Sequence, residues 1–155
     1  MIILRDEITI AVPPERIFAW LNHLPENYRE WHPDHVAYRY LTDGGLREGA
    51  VIYCEEYLHG DLHKFKMRAT QVIPNARLDY RIAPGMRGSF GIEARNGNSL
   101  FIAELFFGVG FPVLGWVLDQ LLRLLFARQI KLFRQHIAEE GQNLRRIMET
   151  GEGVV

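Results

Sequence analysis

The chain has 155 residues, 48% hydrophobic and 24% charged, with a formal net charge of −1. That length fits one domain with a sizeable core, and the near-neutral charge gives no basic footprint for nucleic acid. A single cysteine, Cys54, excludes an internal disulfide and suits a cytoplasmic protein, while the longest charge-free apolar run, Leu105 to Leu118, falls short of the roughly 18 residues that a bilayer span needs.

The elements follow in chain order. Ile8, Ile10 and Val12 alternate with Thr9 and Ala11, which predicts a first strand that ends at Pro13-Pro14. Pro14 and Glu15 suit the first turn of a short helix with Ile17, Phe18 and Leu21 on its apolar face. A second short helix is expected over Glu26 to Trp31, stopped before Pro33. Alternation returns over Val36–Thr42. Ala50–Leu58 and Leu62–Ile73 read as a long hairpin around Gly60-Asp61. Strands are then expected at Leu78–Ile82, at Phe90–Ala94 and, after the Asn96-Gly97 turn signal, over about Ser99 to Phe107. From about Val113 to Met148 the apolar period becomes helical, and Thr150–Val155 is expected to fray. Strands flanked by helices indicate an α+β domain over residues 1–149.

This order, and the opening EITIAVPPERIFAWL, resembles the superfamily of START domains, polyketide cyclases and the birch-pollen allergen. The resemblance covers essentially the whole chain. It implies the helix-grip fold: about six or seven antiparallel strands curved around one long C-terminal helix, with a small-molecule cavity between. Fold alone does not fix function, because that superfamily hosts carriers, cyclases and hydrolases.

The pattern also says which polar residues turn inward. Lys64, Lys66 and Arg68 share one face of their strand, so His63, Phe65, Met67 and Ala69 share the other. With a Gly60-Asp61 turn, Leu58 lies opposite His63 and Glu56 opposite Phe65, which sends Glu56 inward with Ile52, Cys54 and Leu58. In the last strand Phe101 pairs with inward Ile92. Leu100, Ile102 and Phe106 then face outward, a row that needs cover from a partner chain, as in a homodimer, or from a neighbouring element. In the long helix, Leu118, Leu122, Leu125, Leu132, Phe133 and Ile147 form an apolar stripe. His136 and Glu140 fall near its centre, with Gln129 and Asn143 beside them. A carboxylate on a core face must be paired, protonated or bound to a cation.

His32, His35, Glu56, His63, His136 and Glu140 are therefore the candidate cluster. Zinc takes imidazole and carboxylate ligands, usually four. Each residue also has a plainer reading: His136 and Glu140 as a hydrogen-bonded pair, Glu56 in a salt bridge with an arginine, His63 as a core histidine, and His32 as a surface residue at a helix end. Cys54 reads as a small buried hydrophobe.

The stretch Trp31-His32-Pro33-Asp34-His35, followed by an inward Glu and a late His-x-x-x-Glu, resembles the diacetylphloroglucinol and phloretin hydrolases. Those enzymes use a helix-grip domain and a zinc site of two His and two Glu to cleave a carbon–carbon bond between an acyl group and a phenol ring. The resemblance implies His35, Glu56, His136 and Glu140 as ligands of zinc or another divalent metal, with His32 as the substitute for His35. His63 or His32, when not a ligand, would move protons. Cys54, Phe65, Met67, Gln129 and Phe133 are expected to line the cavity. The leading expectation is a metal-dependent hydrolase or lyase for a small aromatic or polyketide-like compound. The alternatives are a non-enzymatic carrier of hydrophobic ligands or lipids, and a metal-free cyclase or dehydratase that uses His and Glu as acid and base.

Overall fold

The computed structural model describes residues 1–58, 60–108 and 127–152. β1 (Ile2–Ile10) leads into α1 (Pro14–Asn22) and α2 (Leu24–Trp31). β2 (His35–Tyr40), β3 (Val51–Leu58), β4 (Asp61–Ile73), β5 (Arg77–Ala83), β6 (Met86–Arg95) and β7 (Asn98–Phe107) follow, and α3 (Ala127–Thr150) closes the chain. The strands form one seven-stranded antiparallel sheet in the order β1-β7-β6-β5-β4-β3-β2. This is the helix-grip α+β architecture. No helix among the described residues is long and apolar enough to cross a membrane.

Alternation sets the faces. Ile2, Leu4 and Ile10 of β1 are buried while Ile3, Arg5, Glu7 and Thr9 are exposed. The strand thus begins earlier than expected, and Val12 lies beyond it. Asn96 (φ 50) and Gly97 (φ 86) make the tight β6–β7 turn, because two consecutive positive φ values match the twist of a hairpin. Ile92 pairs with Phe101, as expected from that turn. The outward row of β7 is partly covered by its own face: Ile102 is buried between Glu7 and Gly91, and the Arg87 guanidinium lies 4.9 Å from the Phe106 ring.

One register differs from expectation. Leu58 pairs with Asp61, Glu56 with His63 and Cys54 with Phe65. The two residues between the strands are 59 and 60 rather than Gly60-Asp61, and Gly60 supplies a positive φ of 91. The pairing slips by two residues, so every side chain keeps its face and Glu56 still points inward.

α3 packs mainly across β1 and touches α2 and β7. A Cβ at Gly141 would stand 3.1 Å from the Asp6 carboxylate and 3.5 Å from Ile8, so glycine lets the helix approach β1 closely. The buried face of α3 carries Ile137, Gly141, Leu144, Ile147 and Met148. It is rotated slightly from the expected stripe, with Leu132 only half-buried. Leu118, Leu122 and Leu125 lie outside the described residues, as does the expected helix start. Gly151 (φ 76) ends the helix, its N–H donating to the Ile147 carbonyl at 2.9 Å.

Candidate functional site

The α2–β2 junction builds the site. Leu24, Tyr28 and Trp31 form the buried face of α2, one helical repeat apart. Pro33 forces His32 into extended backbone (φ −148, ψ 141), which ends the helix. The turn closes with the His35 N–H on the His32 carbonyl at 3.0 Å, and β3 fixes it through the Tyr57 N–H on the Asp34 carbonyl at 2.8 Å. A bulge between His35 and Ala37 turns His35 into the interior beside Glu56. From the other side, the Trp31 indole N–H donates to the Glu140 carbonyl at 2.9 Å, tying α2 to α3 at the residue that faces the cluster.

His35 is the centre. Its Nδ1–H donates to the Tyr28 carbonyl at 3.0 Å, and the Tyr28 ring stacks on it at 3.9 Å between centroids. That bond fixes the tautomer, so the lone pair of Nε2 faces inward. Nε2 is buried and has no hydrogen-bond partner among the described residues. It nevertheless stands 3.1 Å from Glu140 Oε1 and 4.0 Å from Glu56 Oε2, and His136 Nε2 is 3.8 Å from the same Glu140 oxygen. A lone pair facing a carboxylate at 3.1 Å is repulsive unless a proton or a cation lies between them.

The structure thus brings His35, Glu56, His136 and Glu140 together. His32 joins them: its ring is 4.2 Å from that of His136, and ring nitrogens of His32, His35 and His136 all lie within 4.8 Å of one another. His32 is buried rather than on the surface. Its Nδ1 accepts the Asp34 N–H at 3.1 Å and its Nε2–H donates to Glu139 at 3.1 Å. His63 is exposed at the cavity wall, directly across from Glu56, instead of lying in the core.

Burial sets the charge states. It pulls His35 down to about 4 and lowers His136 against the opposing pull of Glu140. Desolvation raises both Glu56 and Glu140, and for Glu56 the neighbouring Glu140 adds to the rise. The Cys54 thiol is likewise pushed up by burial, which leaves it an inert part of the wall.

A cavity of about 310 Å³ opens from this cluster. Cys54, Phe65, Met67 and Phe133 line it as expected, together with Tyr38, Tyr80, Met86 and Phe90. The side chain of Gln129 lies outside the described residues. Sequence reasoning passed over Tyr28, whose hydroxyl donates to Glu56 Oε2 at 2.9 Å and which lines the same cavity. The signal was its place one turn before Trp31, on the buried face of α2. Glu139, held by Gln135 at 2.7 Å and by His32, was also passed over.

A family model described as polyketide cyclase / dehydrase and lipid transport matches residues 1–142. The chain belongs to that family. Comparison with curated proteins finds no match. Among solved structures, the chain is similar to a Thermus thermophilus protein, TTHA0849, at 16% identity and TM-score 0.70, covering 97% of this chain and 99% of that one. It is also similar to the Zhui aromatase/cyclase of a Streptomyces species, at 16% identity and TM-score 0.64, covering 99% of each chain. The Aha1 dimer of Colwellia psychrerythraea matches at 17% identity and TM-score 0.66, over 99% of this chain and 100% of that one. At these identities the likeness establishes the fold. Family membership and the apolar cavity together make this a small-molecule-binding protein.

Proposed function

We propose that this family member is an enzyme for a small aromatic or polyketide-like compound, a hydrolase or lyase that holds a divalent metal, zinc by preference, through His35, Glu56, His136 and Glu140. The observation that carries this reading is the buried Nε2 of His35, unpartnered among the described residues and aimed at a carboxylate. Its Nδ1–H···O=C bond is the outer contact that orients metal-ligating histidines. Tetrahedral zinc with bonds of about 2.0–2.2 Å has donors roughly 3.3–3.6 Å apart, and the observed separations of 3.1, 3.8 and 4.0 Å bracket that range. With four protein ligands in place, such an ion would have to open a fifth position to polarise a ligand carbonyl or to bring the pKa of a bound water to ~7.

The chain's own residues do the rest. Tyr28 holds Glu56 by its hydroxyl and His35 by its carbonyl, so one residue orients both. The aromatic wall binds a planar ligand and excludes water. His63, across from Glu56 at the wall, is placed to exchange protons with solvent.

A second reading has its own support. The raised Glu56 and Glu140 can share a proton with His35, and a protonated carboxyl beside an apolar cavity is a general acid suited to dehydration or cyclisation without metal. The two readings separate in one experiment. Protein purified without tag or chelator is assayed for metal, then incubated with an acylated polyhydroxybenzene before and after zinc loading. Stoichiometric zinc and zinc-dependent release of the carboxylic acid fit the first reading. Protein that neither contains zinc nor binds added zinc, manganese or nickel at micromolar concentration overturns it.

A further inference from the structure

The outer face of the sheet carries an arrangement that the cavity does not explain. Ile3, Phe106, Arg87, Arg81, Arg68 and Val51 are direct cross-strand neighbours, one unbroken row over six strands. Its three arginines stand side by side and exposed. Directly opposed side chains have Cβ atoms about 4.5–5.5 Å apart, and like charges there are destabilising.

The same face shows what a self-contained solution looks like. Arg5 is bonded to Glu104 at 2.6 Å, Arg77 to Asp79 at 2.8 Å and Arg95 to Glu93 at 2.7 Å. Arg68, Arg81 and Arg87 have no ion pair among the described residues. The nearest acidic row, Glu104 and Asp79, is already engaged by Arg5, Ser89 and Arg77. The next row on the other side adds Lys66, and Arg39 lying over the Tyr53 ring at 4.3 Å.

We propose that this arginine row is a docking surface for an acidic protein, one that presents carboxylates spaced along the row. Charge complementarity argues for an anionic occupant. The interleaving of arginine with Phe106, Tyr53 and exposed Ile3 is the composition of protein interface centres. The remainder of the molecule argues against an extended polyanion. With 18 basic and 19 acidic residues in all, the chain has no net positive charge to hold a long polyanion. A nucleic acid or an anionic bilayer reaches well beyond the row and meets the chain's carboxylates as well, whereas a compact partner feels only charges within a Debye length, about 8 Å at physiological salt.

The test uses the full chain and a fluorescein-labelled twelve-residue polyglutamate peptide in 50 mM salt. A single-stranded thymidine 12-mer and phosphatidylserine-containing vesicles form parallel arms. The peptide is expected to bind and to be released by salt, and Arg81→Glu combined with Arg87→Glu is expected to weaken it at least ~10-fold. Arg77→Gln, in the self-paired half, should leave binding within about twofold. Thermal melts guard against misfolding. Because Arg81 stands between two like charges, Arg81→Gln should raise Tm by ~1–3 °C. A peptide that fails to bind, binds the double variant equally, or binds more weakly than the oligonucleotide or the vesicles overturns the proposal, and so does a lower Tm for Arg81→Gln.

Discussion

The two faces of the sheet handle charge in opposite ways. Inside, two carboxylates and three imidazoles are taken out of water at the end of an apolar cavity, and His35, His136, Glu56 and Glu140 all shift toward their neutral forms. Outside, three guanidiniums stand side by side in water. Solvation decides which of the two repulsions the fold must resolve. Desolvating an ion costs several kcal/mol, so the inner cluster needs a proton or a cation in place. An exposed like-charged pair costs a few tenths of a kcal/mol up to about 1 kcal/mol, so the outer row persists in the free protein.

The largest expected effect lies inside. Glu140→Ala removes the carboxylate shared by His35 and His136, and zinc affinity by calorimetry should fall at least ~100-fold, or about 2.8 kcal/mol. If affinity is unchanged, the shared oxygen is not a ligand. The next effect sharpens the contrast by pH. His35 has a folded pKa of about 4 against 6.5 in the ordinary state, so the unfolded chain binds the proton first. Metal-free protein therefore loses the His35 contribution as pH falls from 6.5 toward 4, on the order of 3 kcal/mol. Glu56 and Glu140 act in the reverse sense. Their folded pKa values are raised above 4.5, so their contribution is present at low pH and is lost as pH rises through the folded values. Metal-free Glu140→Gln should accordingly be more stable than the parent at pH 7 in urea unfolding, with the difference shrinking as pH falls toward 4.5. An imidazole NMR titration that places His35 near 6.5 would break the inside–outside comparison.

A smaller effect comes from Tyr28→Phe. It keeps the stack on His35 and the backbone acceptor but removes the hydroxyl from Glu56. Zinc affinity should fall ~10-fold, and stability by about 1 kcal/mol. The smallest effect belongs to the outer face: Lys66→Ala should change unfolding free energy by less than about 0.5 kcal/mol.

The fold was legible where alternation was clean. The charged row Lys64, Lys66, Arg68 fixed the faces of β4, and Asn96-Gly97 fixed the β6–β7 register. The β3–β4 register slipped by two because Gly60 can serve either half of a two-residue turn, and the period-2 pattern is blind to an even shift. The inward residues survived for that reason. Tyr28 was harder to see because its importance depends on a bulge at His35, which no local pattern announces. The burial of His32 depends on a contact across more than a hundred residues, with Glu139. The arginine row was invisible in one dimension, since its members lie on three different strands and meet only through pairing.

In the proposed site one cation resolves the inner cluster. Crystals of the metal-loaded protein, measured at the zinc absorption edge, test it most directly. A single anomalous peak is expected about 2.0–2.2 Å from His35 Nε2, His136 Nε2, Glu140 and Glu56. No peak there, with a proton-sharing hydrogen bond between His35 and Glu140 instead, would contradict it.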